Sequence, residues 1–140
     1  MIEKLIKYFI EKQKTLFLID SVGAFMTAFS LFVVMQQFNE YFGMPKNELT
    51  YLSVIAICLC IYSVTCFLFI KVDFTLFIRF IGVANLIYCA LIIGLLIKYY
   101  PLLTIIGTIY FLSEIVIICI LSYIELNVAK RNKEKKLTDN

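Results

Sequence analysis

The chain has no histidine and no tryptophan, only two prolines and five glycines, and charged residues at just 16% of 140 positions. Without histidine, bis-histidine haem, a histidine-ligated metal and a histidine general base are all excluded. The shortage of charge, set against 62% apolar residues, lies far from the roughly 25% charged and 45–50% apolar make-up of soluble domains. Water is therefore not the main solvent. A C-x-x-C pair is missing as well: Cys58, Cys60, Cys66, Cys89 and Cys119 all fall inside apolar runs, where a thiol behaves as a small hydrophobe. No cofactor and no metal ion are expected.

What is present is a series of apolar runs separated by short polar breaks. The last of them, 101–129, carries Glu114 among leucines and isoleucines. Residues 15–37, 49–70, 75–97 and 101–129 are each long enough to cross a hydrocarbon core of roughly 30 Å at 1.5 Å per residue. The breaks hold turn-forming and water-seeking residues, among them Gly43, Pro45 and Asn47, then Lys71, Val72 and Asp73, then Lys98, Tyr99 and Tyr100. Pro101 suits the first position of the last helix, because its missing N–H has no partner there anyway.

Before the first span, residues 1–14 place Ile2, Leu5, Ile6, Phe9 and Ile10 at helical spacing against Glu3, Lys4, Lys7, Glu11, Lys12 and Lys14. That pattern predicts an amphipathic helix lying at the membrane interface. Charge interrupts it too often for the unbroken apolar core of a cleaved leader. Residues 130–140 read as a short, solvated basic tail.

Four spans with short turns imply an all-α, integral-membrane, up-down-up-down four-helix bundle. Of the 13 lysines and arginines, only Lys46 and Lys98 fall on one side, and the others precede span one, sit at the second turn or follow span four. By the positive-inside rule both termini are expected in the cytoplasm, with the chain in the cell inner membrane. The lipid bilayer is the expected partner, together with further copies of the chain or a larger membrane complex. Nucleic acid is not, since the net charge of +3 comes from lysines at the ends and no basic face is interleaved with aromatics.

Polar residues inside such spans cost roughly 2.5–3.5 kcal/mol when ionised, and so turn towards one another. Near the cytoplasmic level stand Asp20, Arg79 and Glu125, of which Asp20 and Arg79 form the obvious candidate ion pair. Deeper lie Glu114, Asn85, Tyr62, Ser63 and Thr27, expected to form an intramembrane cluster in which Glu114 bonds Asn85 or Tyr62; Tyr88, Cys89 and Tyr110 stand close enough in sequence to extend it. Asp20, Gly23, Ala24, Thr27 and Ser30 make a small and polar stripe on span one, of the kind that lets helices approach.

The segments LFLIDSVGAF, YFGMPKNELTYL, FIGVANLIYCAL and IYFLSEIVIICILSYIEL resemble those of small four-span bacterial membrane proteins of uncharacterised activity. The resemblance implies the four-span architecture and gives weight to Asp20, Pro45, Asn85 and Glu114. No nucleophile is paired with a base and no loop is large enough for a soluble active site, so an enzyme is not expected. The leading expectation is a non-enzymatic membrane subunit or scaffold, with Glu114 as neutral polar glue. The alternative is a small transporter or flippase in which Glu114 takes a proton or cation.

Overall fold

A computed structural model describes residues 1–35, 37–69 and 75–139 of the chain. Its elements are α1 (Ile2–Glu11), α2 (Gln13–Phe29) running into a π-helical turn (Ser30–Met35), the short α3 (Asn39–Phe42), α4 (Lys46–Phe69), α5 (Thr75–Lys98) and α6 (Ile105–Asp139). There is no strand among the described residues. Four helices, those beginning at Gln13, Lys46, Thr75 and Ile105, are long and apolar enough to cross a membrane. The turn expected at Lys71, Val72 and Asp73 lies outside the described residues, as do Gln36, Ile70, Phe74 and Asn140.

Polarity is distributed in the reverse of a water-soluble protein. Phe25, Phe29, Leu68, Phe69, Leu76, Phe80, Ile105 and Ile117 point outward, while Asp20, Ser63, Asn85, Glu114 and Glu125 are buried. The inner face of each helix follows helical spacing, as in Ile78, Ile81, Gly82, Asn85, Tyr88, Cys89 and Ile92 of α5. Packing is uneven around the molecule. α2 packs mainly on α4 and α5 mainly on α6, with a thinner seam between α4 and α5.

One end is closed by the loops. Thr104 stands at the start of α6, where its Oγ accepts from the Gly107 N–H at 3.1 Å, capping the helix, and its hydroxyl donates to the Tyr41 carbonyl. The helix thus begins after Thr104, with Pro101 in the preceding turn. Gly43 has φ +79° and lies against the Leu102 backbone, and Gly107 lies against the Phe42 carbonyl. At both, the backbones approach too closely for a Cβ. Glu48 accepts from the Tyr99 hydroxyl at 2.8 Å, with Lys98 at 4.0 Å.

At the other end α1 is drawn in beneath the helices. Ile6 and Phe9 are buried in a cluster with Leu16, Phe17, Ile124, Val128 and Ala129, while Ile2, Leu5 and Tyr8 stay exposed. Half of the amphipathic face is therefore spent on protein. α6 supplies the opposing surface, continuing as helix through residues 130–139 where a loose tail was expected. Arg131 reaches Glu3 at 3.8 Å and Asn132 donates to the Thr75 hydroxyl.

Candidate functional site

Two groups of polar side chains lie between the four long helices, and they share out the residues that the sequence suggested as one cluster. In the first, each helix contributes one residue: Asp20 from α2, Ser63 from α4, Asn85 from α5 and Glu125 from α6. The Ser63 hydroxyl donates to Asp20 Oδ2. Asn85 Nδ2 donates to Asp20 Oδ1 at 2.9 Å and to Glu125 Oε2 at 3.2 Å. Glu125 is 0% exposed, its carboxyl stands against that of Asp20, and among the described residues its other oxygen has no close hydrogen-bond partner.

Two acceptor oxygens served by one amide nitrogen at those distances stand no more than about 6 Å apart. Two full negative charges that close repel by roughly 3 kcal/mol at an effective dielectric of about 20. Among the described residues no lysine or arginine forms an ion pair with either acid. A proton or a bound cation is what balances such a pair.

The expected Asp20–Arg79 ion pair is thus corrected. Arg79 is exposed, while Asp20 is buried and meets Ser63 and Asn85 instead. The reason is rotational: Arg79 follows Ile78 on the inner stripe of α5, and one residue turns a side chain by about 100°, off that face. Asn85 is on the stripe. Tyr62 also leaves the expected cluster. Its hydroxyl donates to the Phe77 carbonyl at 3.3 Å and its ring packs on Phe80 at a centroid distance of 5.1 Å.

The second group centres on Glu114 of α6, which is 7% exposed. Its Oε1 accepts from the Tyr88 hydroxyl at 3.4 Å, the Thr27 hydroxyl stands beside the same carboxyl, and among the described residues its Oε2 has no close hydrogen-bond partner. Asn85 and Tyr62, the bonding partners expected for it, are engaged elsewhere. Tyr88 takes that place because it lies on the same stripe of α5 as Asn85, one turn further along.

A cavity of about 300 Å³ joins the two groups, bordered by Asp20 and Asn85 on one side and by Glu114, Tyr88 and Tyr110 on the other. Thr27 of α2 and Ser30, which opens the π-helical turn, line it. The stripe that looked like a helix-packing surface borders this space: Gly23 has nothing within 4 Å of where a Cβ would stand. Gly23, Met26, Ser113 and Ile117 belong to the lining and are exposed, so the mouth opens sideways between α2 and α6.

Glu125 was legible as an acid near the level of Asp20 and, by its spacing, on one face of the last span with Glu114, since eleven residues bring a helical side chain back to within about 20° of the same face; its meeting with Asn85 was not. No protein-family model, no curated protein and no solved structure matches the chain. Among the described residues no group of three or more histidine, cysteine or acidic side chains is arranged to hold a metal ion. The described cysteines are free thiols. The chemistry within reach is the binding and release of a proton or a positively charged group by buried carboxyls.

Proposed function

We propose that the protein is a small multi-pass transporter of the cell inner membrane, in which Glu114 is the proton or cation site. In this reading the four long helices cross the bilayer as an up-down-up-down bundle with both termini in the cytoplasm, as the lysine distribution asks. The observation that carries it is the cavity at Glu114. A carboxyl used only as structural glue closes against its partners, whereas this one, with Tyr88 and Thr27 on one side, keeps an oxygen that no described residue bonds closely, beside about 300 Å³ of space. Intramembrane acids facing such a space mark ion and substrate pathways. The Asp20, Asn85 and Glu125 group lies about 16 Å along α6 from Glu114 by helical rise, giving the path a second acidic station.

Reconstituted into proteoliposomes with an imposed pH gradient and a trapped pH-sensitive dye, the wild-type chain is expected to collapse the gradient faster than protein-free vesicles. Glu114→Gln is expected to slow this at least about tenfold, the effect of about 1.4 kcal/mol. Wild-type flux no greater than that of empty vesicles, with and without added inorganic and organic monovalent cations, removes the transporter reading. The second reading, a non-enzymatic subunit or scaffold, is favoured by Gly23 and Ala24 at the same opening, because small residues admit a neighbouring helix. Co-purification of one stable partner, lost on Gly23→Leu, distinguishes it.

A further inference from the structure

We propose that the cavity between α2 and α6 takes a small, largely apolar molecule bearing a single positive charge, an organic ammonium, which enters sideways through the opening at Gly23. This rests on the transporter reading and gives its cargo a chemical class.

Size, lining, charge and route converge on that class. At about 300 Å³ the space is at the small end of the roughly 300–1,000 Å³ range of ligand sites, which are mostly apolar with a few placed polar groups. Leu59, Ile118 and Leu121 supply apolar wall, and the acids Glu114 and Asp20 stand at separate points of it. An inorganic ion has no use for such walls, and a two-chain lipid does not fit inside them. A hydrocarbon or anionic cargo leaves the Glu114 oxygen unsatisfied, at a cost that burial makes large, and a neutral donor leaves its charge unbalanced. An ammonium group satisfies it with its N–H donors, and Tyr88 and Tyr110 border the same space.

The route follows from the mouth. Gly23 has open space where a side chain would be, and its exposed neighbours Val22, Phe25 and Met26 are apolar. A cargo that dissolves among apolar side chains and carries its charge to Glu114 matches both the entrance and the interior.

The test uses purified full-length chain in a neutral sugar detergent, so that no phospholipid ammonium competes. Benzylammonium, which keeps its N–H donors, and its uncharged carbon isostere, ethylbenzene, are titrated by calorimetry. The cation is expected to bind at least about tenfold more tightly than the isostere, and Glu114→Gln to remove that preference. Gly23→Leu, placed where no atom stands, is expected to weaken the cation by a similar factor while circular dichroism shows unchanged helix. Equal binding of cation and isostere overturns the proposal, as does wild-type affinity in both variants. Binding without flux leaves the ligand class standing and removes the transporter reading; flux without binding does the opposite.

Discussion

Asn85 holds the first polar group together, since a single amide serves both Asp20 and Glu125. Asn85→Ala strips a donor from two buried acids at once. It is expected to destabilise the chain by about 3 kcal/mol, given roughly 1.5–3 kcal/mol for a hydrogen bond to a charged group. Arg79→Gln removes an exposed side chain and is expected to stay within about 0.5 kcal/mol. Denaturation of the two variants in detergent, followed by circular dichroism, checks the pair; a large loss for Arg79→Gln restores the ion pair set aside above. At this scale the sequence is readable in kind more than in detail. Acids and amides among apolar residues turn inward, and Asp20, Asn85 and Glu114 are buried, with Ser63, whereas the exposed hydroxyl of Ser113 bonds its own helix at the Ile109 carbonyl. Which of them meet depends on rotation about each helix, and a single residue's error in register moves a side chain by about 100°. That is why Asn85 is found with Asp20 and Glu125, and Tyr88 with Glu114.

Helix existence follows directly from apolar run length, and α4 and α5 begin and end within a few residues of the runs that announce them. Helix ends are different, because they answer to contacts from elsewhere in the chain. Pro101 offers a start for α6, but Thr104 provides the cap once the Tyr41 carbonyl is within reach. The π-helical turn at Ser30–Met35 has no signature in a run of apolar residues. Gly107→Ala pushes a methyl group into the Phe42 backbone and is expected to cost about 1–3 kcal/mol as overpacking. Gly23→Ala meets nothing and gains a helix-forming residue, so it is expected to be neutral or stabilising by up to about 1 kcal/mol. Thermal melts of the two alanine variants in one detergent check this contrast, and equal shifts would deny that α6 is pinned at Gly107 alone.

For the molecule as a whole, the lysine asymmetry predicts where the ends lie. A green fluorescent protein fused after Asn140 is expected to fluoresce in intact bacterial cells, and an alkaline phosphatase fused there to be inactive; the reverse pattern inverts the topology. The sequence announces α1 as amphipathic, but only the fold reveals that Ile6 and Phe9 cover Leu16, Phe17 and Val128. Deleting residues 1–11 is therefore expected to leave those side chains uncovered and to lower the melting temperature by several degrees. A truncation that melts like the full chain would return α1 to a purely interfacial role.

The division of the helices into an α2–α4 pair and an α5–α6 pair, with a thinner seam between them, has a mechanical consequence. Ser63 and Asp20 belong to one pair, Asn85 and Glu125 to the other, and the Asn85–Asp20 hydrogen bond crosses the seam. That bond is one latch between two leaves of a book, beside the Tyr62–Phe77 hydrogen bond, so removing the Asp20 acceptor is expected to loosen the covers.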